Sequence, residues 1–171
     1  GAWPALSGGA GASATGALMK DVFAVMIEMG DRHNGISNTF LGDGFRALFG
    51  APLDDPKAAI NALAAARGML DAVDAWSKAR PDNALRVGIG IHIGQAVTGT
   101  VGSPQRKEYT VIGDTVNLAA RLEQLTKETG ARLLVSSSVH EATAGADGAT
   151  EPGRVTMRGA DTAGGGWGRA R

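Results

Sequence analysis

Few residues in this chain combine the type and the spacing that chemistry needs. Asp43 stands between Gly42 and Gly44. Flanking glycines remove side chains that would block a bulky anion, and the carboxylate can project toward a metal. Mg²⁺ favours oxygen ligands and is typically held by one or two carboxylates plus substrate phosphates. Ordinary turn chemistry gives the same pattern, because Asp-Gly is a common turn pair. Asn117 and Arg121 are the second candidate. Four residues apart, they share one face of a helix. A planar guanidinium and an amide projecting together suit a phosphate and a sugar. A purely structural role also fits, with Arg121 paired to Glu123 or Glu128 and Asn117 used in capping. His92 lies on the glycine-bearing face of a strand and reads as structural rather than as a ligand.

Composition narrows the setting for these residues. The 171 residues suffice for one domain with a real core. Lys+Arg and Asp+Glu are 17 each, so the net charge is zero. That balance gives no nucleic-acid footprint and no polybasic membrane patch. With no cysteine, disulfide scaffolds, thiolate metal sites and cysteine nucleophiles are excluded. A reducing compartment is consistent with this, so the expectation is cytoplasmic, including the cytoplasmic part of a membrane-anchored protein. No apolar run approaches the roughly 20 residues of a membrane span.

The elements that must position the candidates follow from periodicity. Leu18, Val22, Val25, Met26 and Met29 recur at helical spacing, with Gly30 as a stop. Ile36 to Leu41 and Phe45 to Phe49 flank Gly42-Asp43-Gly44 and predict a β-hairpin. Asp54 or Asp55 caps a helix striped by Ile60, Leu63, Leu70 and Val73, which Pro81 ends. Leu85 to Ile93 is the clearest strand. Its odd-numbered residues are apolar, and Arg86, Gly88, Gly90 and His92 face the other way. Glycines there let a helix or a ligand approach closely. Ala96 to Val101 reads as its partner strand, Gly102 to Glu108 as a basic loop, and Tyr109 to Ile112 as extended. A helix from about Thr115 to Thr129 follows, with Leu118, Leu122 and Leu125 as its buried stripe. Leu133 to Ser136 is a short strand, followed by a short helix and a final hairpin near Arg154 to Met157. Gly1 to Ala17 has no charge and is mostly Gly, Ala, Ser and Thr. It reads as a flexible or truncated segment, with an atypical ordered segment as the alternative. Residues 18–163 then form the domain, and 164–171 an irregular tail. Strands, helices and two hairpins together predict an α+β sandwich, with helices on one face of a mostly antiparallel sheet.

Three stretches, taken together, resemble one family. Thr39 to Pro52, TFLGDGFRALFGAP, resembles the metal-site hairpin of class III adenylate and guanylate cyclases. Gly88 to Gly94, GIGIHIG, resembles their central strand, and Glu108 to Glu123, EYTVIGDTVNLAARLE, their second signature. The likeness covers roughly Leu18 to Gly159 and implies a ferredoxin-like sandwich of the class III type.

The resemblance also implies a function. It would be a nucleotidyl cyclase, bacterial adenylate cyclase-like, converting ATP to cyclic AMP and pyrophosphate, with GTP left open. The site would lie at a homodimer interface, with Mg²⁺ or Mn²⁺ as cofactor and a regulatory sensor outside this chain. Asp43 would be one of two metal aspartates, Asn117 would position the ribose, and Arg121 would stabilise charge on the phosphate. Gly42, Gly44, Thr39, Thr110 and Arg158 would contact substrate. Thr39 stands where the family's adenylate cyclases typically carry Lys, whereas Thr110 fits the bacterial ones. The family's first metal aspartate belongs to an opening strand, yet no acid precedes Asp21. Either that strand lies outside this chain, or the metal site is incomplete. The alternative function is therefore a catalytically impaired module for dimerisation or regulatory nucleotide binding.

Overall fold

The computed structural model describes residues 2–10, 16–40, 44–50, 55–95, 104–144, 155–156 and 165–169. Its elements are β1 (Ala2–Ala10), α1 (Gly16–Arg32), β2 (Ile36–Phe40), β3 (Gly44–Leu48) and α2 (Ala58–Lys78). They continue as β4 (Val87–Gln95), α3 (Pro104–Thr129), β5 (Leu133–Ser136), α4 (Ser137–Ala142), β6 (Val155–Thr156) and β7 (Gly165–Arg169). The strands form one sheet in the order β2-β3-β1-β4-β5-β7-β6. Every pairing is antiparallel except β4 with β5. This is the α+β class that the sequence predicts, but the helices take both faces of the sheet rather than one, because the glycines of β4 seat α3 opposite α1 and α2.

Alternation in β4 divides the helices between two faces. Val87, Ile89 and Ile91 are fully buried in the main core with Leu6, Phe45, Phe23 and Met26 of β1, β3 and α1, and with Met69 and Val73 of α2. Each such side chain contributes roughly 1.5–3 kcal/mol when withdrawn from water. The helices α1 and α2 thus cover one face. On the other, Gly88, Gly90 and Gly94 meet α3. A Cβ on Gly90 would stand 2.4 Å from the Ala119 carbonyl oxygen and 2.5 Å from the Glu123 nitrogen. A second, smaller cluster under α3 joins Leu122, Ala131 and Leu134, with Leu118 and Leu125 partly buried beside it. Across the main core, the Arg132 guanidinium grips Asp74 of α2 with two bonds, 2.6 and 2.9 Å long.

Helix ends follow local chemistry. The N-cap of α2 is Lys57, without a side-chain cap bond, not Asp54 or Asp55 as expected. Asp55 instead braces the turn before it, its Oδ1 accepting from the Lys57 amide at 2.9 Å and its Oδ2 from Asn61 Nδ2 at 3.0 Å. Helix α1 passes Gly30 and runs to Arg32. The chain turns instead at Asn34, whose φ is 65°, and Gly35 N then donates to the Gly30 carbonyl at 2.9 Å. Asparagine tolerates this left-handed conformation better than most residues.

Other expectations are corrected. The N-terminal stretch read as flexible or truncated holds β1, paired on both sides, with β3 and with β4. Its small residues fit because neighbouring elements press close: a Cβ on Gly8 would stand 2.7 Å from Met26 Cε. The tail read as irregular holds β7, paired with β5 and β6. The basic loop and extended segment predicted between Gly102 and Ile112 give way to α3, which begins at Pro104. Proline is well placed at a first helical position, and Gln105 to Glu108 are good helix formers. Ile60, assigned to the apolar stripe of α2, is 49% exposed. Ala96 to Val101 lies outside the described residues. Among these, no helix is long and apolar enough to cross a membrane.

Candidate active site

The described site residues fall on three elements, β2, β3 and α3. Thr39 of β2 and Gly44 of β3 flank the hairpin turn, and Phe40 pairs with Gly44. Gly42 and Asp43 lie outside the described residues, as does Arg158. Asn117 and Arg121 are exposed on α3, one turn apart. Thr110 belongs to the same helix, not to the strand the sequence predicts.

Packing on the glycines of β4 fixes the height of α3 above the sheet. Thr115 sits over Gly94, Ala119 over Gly90 and Thr126 over Gly88. Asn117 therefore lies level with His92, between the Gly94 and Gly90 contacts. The hairpin belongs to the other end: Gly44 pairs with Gly9, and Gly9 with Gly88. Four residues at about 3.3 Å each separate the two levels by about 13 Å. Two strand spacings add roughly 10 Å across the sheet. One chain does not bring Gly44 and Asn117 together.

Next to the hairpin, β1 offers no carboxylate. Its sequence is AWPALSGGA, and Ser7, Gly8 and Gly9 stand opposite Arg46, Phe45 and Gly44. Ser7 is fully buried and accepts a 2.8 Å hydrogen bond from Arg46 Nη1. β1 thus fills the place beside β3 in the sheet and carries no acid. Among the described residues no group of three or more His, Cys, Asp or Glu could hold a metal ion. These residues do not fit a two-ion centre built on two carboxylates.

His92, expected from the sequence to be structural rather than a ligand, is buried in the fold. It is 8% exposed on the α3 side of β4, and its Nδ1 has no hydrogen-bond partner among the described residues. Desolvation by burial lowers its pKa from the ordinary 6.5. The unfolded chain therefore binds a proton near 6.5 that the folded chain refuses until lower pH. His92 costs no stability above about 6.5. Below it, stability falls with pH until the folded pKa is reached. His92→Gln is expected to flatten this acid limb, measured by urea midpoints between pH 7 and 5. An unchanged slope would assign the limb to other groups. Sequence reasoning singled out the right face for His92, whereas the Ser7–Arg46 link gave no signal, because β1 itself was not read as a strand.

Comparison with known proteins extends this geometry. Residues 5–165 match the adenylate and guanylate cyclase catalytic domain. An uncharacterized protein of Mycobacterium tuberculosis is 48% identical over 122 residues, 70% of this chain and 22% of the relative. An uncharacterized Mycobacterium bovis protein is 43% identical over 122 residues, 70% of this chain and 20% of that protein. The chain thus spans about a fifth of the length of these curated relatives. Among solved structures, the guanylyl cyclase Cya2 superposes with a TM-score of 0.73 at 27% identity, covering 98% of this chain and 91% of Cya2. The adenylyl cyclase CyaB from P. aeruginosa gives 0.73 at 22% identity, covering 99% and 95%, a likeness of fold. A model match from within β1 to the first residue of β7, on a sheet shared with these cyclases, establishes that the chain belongs to the adenylate and guanylate cyclase catalytic-domain family.

Proposed function

We propose that the chain is a nucleotidyl cyclase catalytic domain that acts on ATP at an interface between two copies, within a signalling protein whose sensor lies outside this chain. The ribose 3′-oxygen attacks the α-phosphorus, the bond to the β-phosphate bridging oxygen breaks, and cyclic AMP and pyrophosphate leave. Asn117 orients the ribose, and the Arg121 guanidinium stabilises the negative charge that builds on the phosphoryl oxygens. The carrying observation is the exposed Asn117–Arg121 pair on α3 in a member of this family. The separation of that pair from the hairpin within one chain favours a shared site, with Gly42-Asp43-Gly44 of one copy facing α3 of the other. Thr110, which fits the bacterial adenylate cyclases, favours ATP, whereas Thr39, standing where those enzymes typically carry Lys, leaves GTP open, and Arg158 is assigned to the phosphates. Divalent metal ions are general in this family, and Asp43 is this chain's own candidate ligand.

A second reading has its own observation. The acid-free β1 favours a module that dimerises and binds nucleotide for regulation without turning it over. Assays of cyclic AMP and cyclic GMP formation with Mg²⁺ and Mn²⁺, beside calorimetric binding of ATP and GTP, separate the two. Metal-dependent cyclic AMP formation supports the first. Tight ATP binding with no cyclic product supports the second, and a preference for GTP overturns the substrate assignment.

A further inference from the structure

We propose that this chain takes up its nucleotide with a single divalent ion, because β1, the strand beside the hairpin, contributes no ligand to a second. The inference rests on the reading of the hairpin as the nucleotide–metal end of the domain. The sequence left two explanations for the missing acid, a strand lying outside this chain or a strand without the residue. β1 decides between them. It fills the position between β3 and β4, in register with both, from Ala5–Leu48 to Gly9–Gly44 on one side and from Ala2–Gln95 to Ala10–Val87 on the other. Gly44, which follows Asp43 in the chain, pairs with Gly9, and Ala10 comes next along β1.

Among the described residues, several oxygens and positions near β1 are already engaged. Ser7 Oγ is fully buried and already holds Arg46. Gly8 faces the core, where Met26 leaves no room for a side chain. Asp55 has both carboxylate oxygens engaged, by the Lys57 amide and by Asn61 Nδ2. Asp21 is exposed on α1, and no acid precedes it. A hard cation needs oxygen ligands, and Mg²⁺ is satisfied by one carboxylate, phosphate oxygens and water. One ion delivered with the triphosphate meets that requirement. A second ion, away from the bridging phosphates, needs the carboxylate that Gly9 and Ala10 cannot offer.

The test counts ions rather than product. Mn²⁺ bound per chain is measured by electron paramagnetic resonance with saturating 3′-deoxy-ATP, which binds but cannot cyclise. About one ion per chain is expected for the wild type. Ala10→Asp is expected to raise the count to about two, while Ala10→Asn leaves it at one. Gly9→Asp, which projects to the opposite face of β1, tests that face, and circular dichroism checks that both variants fold. Two ions in the wild type would overturn the inference and leave the proposed function standing. A count that stays at one in both folded aspartate variants would overturn β1 as the place of the missing ligand. Absence of any ion or nucleotide binding would overturn both this inference and the reading of the hairpin.

Discussion

Gly90→Val is expected to unfold this domain more readily than any other single change on β4. Its Cβ would enter the space of the α3 backbone, 2.4 Å from the Ala119 carbonyl oxygen, 2.5 Å from the Glu123 nitrogen and 2.7 Å from Leu122 Cβ. These are backbone and Cβ atoms, so no rotamer change relieves the clash, and the whole helix must lift. Over-packing of this kind costs about 3 kcal/mol, and the lost burial of Leu122 adds to it. For a domain of this size a loss of about 3 kcal/mol corresponds to roughly 10 °C in melting temperature. Gly130→Ala is the contrast. Nothing lies within 4 Å of its Cβ, and only its φ of 76° opposes a side chain. That costs about 1 kcal/mol. Thermal melts of the two variants check the ranking. A Gly90→Val protein as stable as the wild type would mean that α3 does not sit on this strand.

Arg121→Ala is expected to lower cyclic AMP formation about a hundredfold, or ~3 kcal/mol in the barrier. The background is Ala10→Asp, the variant expected to take a second ion. Apparent ATP affinity should change by less than about threefold. The charge that Arg121 meets develops only as the bond to the leaving pyrophosphate breaks, so the loss falls on kcat rather than on KM. Because Arg121 is exposed on α3, its removal leaves the core contacts of that helix in place. A melting temperature within a degree or two of the parent separates lost chemistry from lost structure. Full turnover in the variant would remove Arg121 from the mechanism.

Several features were legible because they depend on near neighbours in the chain. The β4 alternation fixes two faces, the hairpin residues flank a glycine-rich turn, and the Asn117–Arg121 spacing gives one helical face. All three appear in the fold. The turn that Asp55 braces before α2 is local too, although the N-cap itself is Lys57. Errors fell where the deciding contact is remote. Ile60 fits the period of α2, but whether a stripe position is covered depends on what packs there, and at Ile60 half the side chain stays in water.

β1 is the plainest case. Alanine, serine and glycine have weak strand preference, and a stretch of them with no charge reads as a linker. Strand formation there comes from ladder hydrogen bonds to β3 on one side and β4 on the other, and from a place only small residues can fill beneath Met26. The sequence by itself determined the family signatures, the candidate residues and the absence of an acid before Asp21. Only the tertiary structure decided that the acid-free segment is the strand beside the hairpin, because pairing partners some forty and eighty residues away fix its place. The same holds for the distance between the hairpin and Asn117, which is set by sheet register and by the glycines that seat α3.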